Sequence, residues 1–177
     1  MNKSARISTT TPRLGAVALA SLAIAAATLS ASAQAQDKRL SVSAFGQISK
    51  FEDSEATGNV FLSLGYLFTP SIEGELRLSQ TLGGPGEYTL LGAGGRYYFG
   101  TLVQAKSWLP YAHASFNTTF GSGIDFKTLR GGVGIDVPLS PATSLMVEGA
   151  IVRQDLDNPN RGTSNGAEVL VGFKVRF

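Results

Sequence analysis

Alternation of apolar and polar side chains with a period of two recurs in eight runs along this chain. In the run SIEGELRLSQ, residues 71–80, the isoleucine and leucines fall on one parity, whereas Glu73, Glu75 and Arg77 fall on the other. Successive side chains of a β-strand point to opposite faces, so this period is typical of strands. No comparable run after residue 36 has helical spacing, and the sequence therefore predicts an all-β domain.

Polar or glycine-rich links separate the runs. The links after odd-numbered runs read KFEDSEATG, TLGGPGE, TTFGSGIDFK and DLDNPNRGTSNG, and those after even-numbered runs read TPS, GTLVQAKS and PLSPAT. In an antiparallel up-and-down meander, odd and even links lie at opposite ends. The sequence therefore predicts eight antiparallel strands in this order, with two chemically different ends.

The two faces of these strands fit two architectures. A soluble calyx would turn the apolar parity inward, whereas a transmembrane barrel would turn it outward to lipid. Runs of about ten residues suit tilted strands that cross a bilayer. An arginine facing lipid costs about 2–4 kcal/mol near the midplane, so we expect the charged parity to face the interior. The prediction is an eight-stranded antiparallel transmembrane β-barrel, with a soluble periplasmic lipocalin-like binder as the alternative.

The parity that faces the interior carries charges of both signs. The lumen of an eight-stranded barrel is narrow and packed by side chains. Each buried charge there needs a partner, because breaking one buried pair costs about 3–5 kcal/mol. We therefore predict an interior charge network that plugs the lumen, formed by Glu73, Glu75, Arg77, Arg96, Arg130, Asp136, Glu148, Lys174 and Arg176.

Aromatic side chains cluster at the ends of the runs, as amphipathic rings do at a headgroup boundary. One predicted interface carries Tyr66, Phe68, Tyr97, Phe99 and Trp108, together with Phe173 and Phe177. The opposite interface is predicted to carry Phe51, Tyr88, Phe116 and Phe126.

The first 35 residues are typical of a secretory signal peptide. Three basic residues precede an apolar run from Leu14 to Leu29, and small residues that permit cleavage after Ala33 or Ala35 follow. Cleavage would reduce the 15 basic residues to 12, against 13 acidic ones. The remaining domain, residues 36–177, thus has no net basic character, and we predict no nucleic-acid partner.

Few residues in the chain point to catalysis or metal binding. Cysteine is absent and His113 is the only histidine, so we predict no metal or other cofactor. His113, Ser115 and Glu148 are the residue types of a hydrolase triad, but they are predicted to face the lumen, away from lipid substrates. The stretches GAGG and GGVG precede no helix and are interpreted as strand glycines, not phosphate loops. The sequence therefore predicts that the protein is not an enzyme.

Four further stretches stand out: LGAVALASLAIAAATLSASAQA, GAGGRYYF, LPYAHASF and the ending VLVGFKVRF. Together they resemble the small eight-stranded outer-membrane β-barrel superfamily, which includes the OmpA transmembrane domain, OmpX-like proteins and opacity-type proteins. The resemblance implies a monomer in the outer membrane of a Gram-negative bacterium, exported through its signal peptide, with both termini periplasmic.

The same resemblance implies partners and a role. The final strand is similar to the signal read by the outer-membrane assembly machinery, carried here by Val169, Val171, Phe173, Val175 and Phe177. Expected partners are that machinery, periplasmic chaperones, outer-membrane lipid and lipopolysaccharide. The expected role is envelope integrity or surface interaction, with a small gated pore and a lipid-modifying outer-membrane hydrolase as alternatives.

Overall fold

Eight β-strands account for most of the chain in the computed structural model, which describes residues 39–52, 56–82, 89–100, 108–120, 126–156 and 162–177. The predicted signal peptide, residues 1–35, lies outside the described residues. The strands are 10 to 14 residues long, long enough to cross a bilayer at a tilt. They are β1 (Leu40–Phe51), β2 (Thr57–Thr69), β3 (Ile72–Leu82), β4 (Thr89–Tyr98), β5 (Leu109–Phe120), β6 (Phe126–Pro138), β7 (Thr143–Leu156) and β8 (Thr163–Arg176).

The strands form a closed barrel in which each pairs antiparallel with its neighbours in sequence. The barrel closes between β1 and β8, in a register that runs from Ser41 opposite Arg176 to Phe51 opposite Gly166. The backbone N–H of Phe177 extends this pairing by donating to the carbonyl of Leu40 at 2.8 Å. Closure leaves the sheet without a free edge, and the predicted eight-stranded antiparallel barrel is confirmed.

Several links between strands are shorter than the sequence pattern predicted. β1 continues to Phe51, β7 to Leu156, and β8 begins at Thr163, so parts of the predicted links KFEDSEATG and DLDNPNRGTSNG are strand. Polar residues beyond an apolar band can still pair their backbones, and hydropathy does not mark where that pairing stops. At the opposite end, β2 and β3 are joined by residues 70–71, and the Thr69 hydroxyl accepts a hydrogen bond from the N–H of Ile72 at 3.0 Å.

Polarity is inverted relative to a water-soluble barrel. Every strand contributes an exposed apolar side chain to the outer surface: Ile48, Leu64, Leu76, Leu91, Phe116, Val133, Ile151 and Val169. The alternate positions point inward and are largely polar or charged. Phe45, which interrupts the alternation in the first run, is buried in the interior and stacks on Phe61 of β2 with ring centroids 4.5 Å apart.

Two glycines of the GAGG and GGVG stretches lie in mid-strand on the inner face. A Cβ at Gly94 would meet the carbonyl oxygen of Ala114 and the Cβ of Ser115, each at 2.7 Å. A Cβ at Gly134 would lie 2.5 Å from the ring of Tyr111. These glycines therefore make room for interior side chains, and neither stretch forms a phosphate-binding loop at a helix.

Candidate functional site

The barrel interior holds five acidic and five basic side chains among the described residues. They comprise the nine residues that parity assigned to the interior network and one further acid, Glu168. Eight of the nine are at most 6% exposed, and Arg176, at the end of the barrel where β1 begins and β8 ends, is partly buried. Because burying an unpaired charge is costly, the balance of signs makes this interior energetically possible.

Glu73 is the centre of the cluster nearest the end of the barrel where β1 begins and β8 ends. Its Oε2 accepts hydrogen bonds from Lys174 Nζ at 2.7 Å and from the Tyr98 hydroxyl at 2.6 Å. Its Oε1 accepts from the Ser41 hydroxyl at 2.8 Å, and Nη1 of Arg96 lies 3.5 Å away. Three hydrogen-bond donors, one of them the Lys174 ammonium, and the nearby Arg96 guanidinium thus satisfy one buried carboxylate.

Asp136 links this cluster to Arg176, at the end of β8. Arg176 Nη2 donates to Asp136 Oδ2 at 2.5 Å, and Lys174 Nζ lies 3.7 Å from the same oxygen. Arg176 Nη1 also donates to the Ser144 hydroxyl at 3.1 Å. The side chain of Arg176 is 22% exposed, so it stands between the buried charges and the outside of the barrel.

Glu75 lies between two arginines at mid-height. It accepts a hydrogen bond from Nε of Arg77, and its Oε2 lies 2.6 Å from Nη1 of Arg96. The side chains of Glu75 and Arg96 have no exposed surface, and that of Arg77 is 2% exposed. Charge-assisted contacts that are buried this deeply are stronger than neutral or solvent-exposed ones.

Glu168, at the far end of the interior, was not predicted. Its Oε2 lies 2.6 Å from Nε of Arg130, and its Oε1 accepts hydrogen bonds from Gln47 at 2.8 Å and Ser49 at 3.0 Å. The parity it shares with Lys174 and Arg176 on β8 would have identified it, because neighbouring inward positions alternate strictly on that strand.

Aromatic and apolar side chains fill the space between the charges. Phe45, Phe61, Tyr98, Tyr111, Met146 and Leu170 form one buried cluster. The guanidinium of Arg77 lies 5.1 Å from the ring centroid of Phe61, and that of Arg96 lies 5.6 Å from the ring of Tyr111. Cations over ring faces gain cation–π stabilisation. The interior is therefore a packed mixture of ion pairs and rings.

His113 and Ser115 do not form a nucleophile–base pair among the described contacts. Nδ1 of His113 lies 3.1 Å from Oε1 of Glu148, as in a hydrolase, but its Nε2 faces Glu75 at 3.7 Å. The Ser115 hydroxyl instead accepts a hydrogen bond from Nη1 of Arg77 at 3.2 Å. A base must reach the proton of its nucleophile, and both side chains are buried inside the barrel. The arrangement serves charge pairing better than hydrolysis.

No metal centre is formed by the described side chains, since no three His, Cys, Asp or Glu residues among them cluster suitably. The described residues also include no helix long and apolar enough to cross a membrane.

Exposed aromatic rings surround the end of the barrel where β1 begins and β8 ends. Tyr66, Phe68, Tyr97 and Trp108 are exposed and Phe99 is half-buried. The rings pair edge to face, Tyr66 with Phe68 at 5.1 Å and Tyr97 with Phe99 at 5.2 Å.

Of the four aromatics predicted at the opposite interface, one is buried inside the barrel and one lies outside the described residues. The prediction for Phe126 is wrong: it points inward and is buried, because position 126 shares the inner parity of Arg130. Tyr88 lies outside the described residues.

The outer face of β8 carries the residues of the predicted assembly signal. Val169, Val171 and Phe173 are about half exposed, whereas Val175 and Phe177 are partly buried near the strand end. The face is continuous with the apolar outer surface of β1 and β7, with which β8 pairs.

Comparison with known proteins finds the same fold. Neisserial surface protein A aligns with 78% of this chain and 96% of its own, at 13% identity and a TM-score of 0.59. The outer membrane enzyme PagL aligns with 76% of this chain and 99% of its own, at 12% identity and a TM-score of 0.52. A de novo designed transmembrane β-barrel aligns with 82% of this chain and 100% of its own, at 17% identity and a TM-score of 0.51.

No protein-family model matches the sequence, and no curated protein matches it. At these identities the comparisons establish the fold, which is that of transmembrane barrels, and leave the activity open.

Proposed function

We propose that this chain is an integral outer-membrane β-barrel whose plugged interior gives it a role in envelope integrity or surface interaction. The observation that carries the proposal is the inverted polarity of the barrel. Ile151 is 75% exposed on the outer surface, whereas Glu148, on the same strand, is 1% exposed inside. In water this arrangement would expose a wide apolar surface and bury charge, whereas in lipid both faces are satisfied.

The proposal includes an export route and partners. The chain enters the periplasm through residues 1–35, is held by chaperones and is inserted by the barrel assembly machinery, which reads the outer face of β8. The girdle of exposed aromatic side chains, at the end of the barrel where β1 begins and β8 ends, lies at the periplasmic interface. The barrel is a monomer, and lipid and lipopolysaccharide surround it.

The rival functions fit the side chains of the barrel interior less well. A lipocalin-like binder needs an apolar internal cavity, whereas Glu75, Arg96 and His113 occupy the middle of this interior. A lipid-modifying hydrolase needs a nucleophile that lipid can reach, and Ser115 is 4% exposed and bonded to Arg77. PagL has the same fold and is an enzyme, so the argument against catalysis rests on these side chains and not on the fold.

Labelling from the lipid phase tests the orientation of the barrel directly. A photoreactive probe dissolved in the acyl region of vesicles should label Leu76 and Leu78, because their side chains are 60% and 48% exposed on the outer face. Glu75 and Arg77, their neighbours on β3, should stay unlabelled. Peptide mapping by mass spectrometry gives the readout, and heat-dependent migration on a detergent gel shows that the barrel was folded. Labelling of Glu75 and Arg77 with sparing of the leucines would refute the proposal.

Conductance measurements distinguish a plug from a small pore. We expect the wild-type protein in planar bilayers to show no ion conductance above the background of the bilayer, because the Glu75, Arg96 and His113 side chains have no exposed surface. Charge removal at Arg153, on the outer surface, provides the control and should change nothing. Regular single-channel steps that respond to Arg77→Gln but not to Arg153→Gln would instead establish the gated pore.

A further inference from the structure

The outer surface of β5 to β8 contains an apolar groove of about 610 Å³. Ala114, Leu129, Gly131 and Ile151 are among its lining residues, and all four lie on the outward-facing parity. A Cβ added at Gly131 would meet no atom within 4 Å, so the groove exists because this position lacks a side chain. The volume lies within the roughly 300–1,000 Å³ range of small-molecule sites.

Polarity changes along the groove in one direction. One row across the strands in the groove is Ala114, Gly131 and Ile151, which are register partners. The next row toward the end with the odd-numbered links places Arg153 between Leu129 and Asn165, and all three line the groove. The four-residue step from Gly131 to Lys127 on β6 covers about 13 Å along the strand. An apolar trough thus leads into a polar, cationic rim.

The cation at this rim can bind an anion. Arg153 is 60% exposed, and its Nε lies 3.3 Å from Oδ1 of Asp155, which also accepts a hydrogen bond from Thr163 at 2.8 Å. An exposed pair of this kind contributes little. A guanidinium carries five N–H donors and matches phosphate in bidentate geometry. Lys127, the register partner of Asp155, adds a second cation to the rim.

We propose that this groove binds one acyl chain of a phosphorylated membrane lipid, whose phosphate is held by Arg153. Charge complementarity selects this occupant. The cation lies at one end of an apolar trough that runs along the outer surface toward the middle of the strands, and a lipid likewise has its charged headgroup at one end of its acyl chain. The inference rests on the proposed membrane location and adds to it a defined lipid site on one side of the barrel.

Native mass spectrometry of the folded protein in non-ionic detergent tests the site, with bisphosphorylated lipid A as the probe and the same lipid without phosphates as its comparison. Gly131→Leu, which fills the groove, and Arg153→Gln should each weaken binding of the phosphorylated lipid about tenfold or more. The wild-type protein should bind the phosphate-free lipid correspondingly less.

Matched variants control for general effects. Gly149→Leu adds the same side chain on the outer face of β7, where a Cβ also meets no atom within 4 Å but which does not line the groove. Lys50→Gln removes a charge from another outward-facing position on β1. Both should bind like wild type, and heat-dependent migration should show all four variants folded.

The inference is overturned if Gly131→Leu and Gly149→Leu bind lipid equally, or if removing the phosphates does not weaken binding. It is also overturned if the groove instead holds a second copy of the chain, seen as a dimer that only Gly131→Leu abolishes. In each case a folded, membrane-inserted barrel would leave the proposed function standing, whereas a chain that does not insert would refute that function instead.

Discussion

Replacing Glu75 with glutamine is expected to lower the free energy of unfolding by about 3–5 kcal/mol, because it removes the carboxylate that pairs with buried Arg77 and one of the two carboxylates beside buried Arg96. Glu75 serves Arg77 and Arg96 together, and none of these three side chains is more than 2% exposed. The loss is a large part of the roughly 5–15 kcal/mol that stabilises a typical domain. Urea unfolding in phospholipid vesicles, followed by the fluorescence of the single tryptophan, Trp108, measures it.

Two controls separate charge pairing from the change of side chain. Glu52→Gln makes the same substitution at an exposed position at the end of β1 and should stay within about 0.5 kcal/mol of wild type. The double variant Glu75→Gln, Arg77→Gln removes one charge of each sign, and it should recover part of the loss because a neutral replacement of a buried pair is often tolerated. If the double variant is less stable than Glu75→Gln alone, ion pairing is not what stabilises the interior.

Parity in the sequence placed the charged residues inside, but it did not identify their partners. Which face a strand residue occupies is a local property with a period of two. Lys174 and Glu73 are 101 residues apart, and they meet only because β8 closes on β1 and the barrel brings β3 across the lumen. Their pairing depends on closure and on the stagger between strands, and neither is encoded in alternation.

Apolar interior residues were harder to predict than charged ones. Phe45, Phe61 and Met146 are fully buried inside, although a barrel in lipid is expected to carry its apolar side chains on the outside. The aromatic side chains fit because arginine side chains present flat cations to ring faces, as Arg77 does to Phe61. Phe45 interrupts the alternation of its run because it follows the inner parity of the neighbouring serines. An interruption of this kind is thus one sequence signal of the aromatic part of the core.

Replacing Val133 with arginine is expected to lower the free energy of unfolding in vesicles by about 2–4 kcal/mol, the cost of a lipid-facing arginine near the midplane. Val133 lies near the middle of β6, is 66% exposed, and pairs with Ala112 and Gly149, two small outward neighbours. No side chain there can accept the charge. The same urea titration measures the loss, and reduced insertion of the unfolded variant into vesicles should accompany it.

Thr118→Arg provides the control for depth, because Thr118 lies on the outward parity near the end of β5, opposite Lys127. It should cost only about 0–1 kcal/mol, since the penalty for a charge falls toward the interface. A barrel surrounded by water predicts the reverse order, because an arginine at Val133 would then replace an exposed apolar side chain and improve solubility. Equal stability of the two variants would therefore contradict a lipid-facing β6, whereas a graded loss would measure how deep β6 lies in the bilayer.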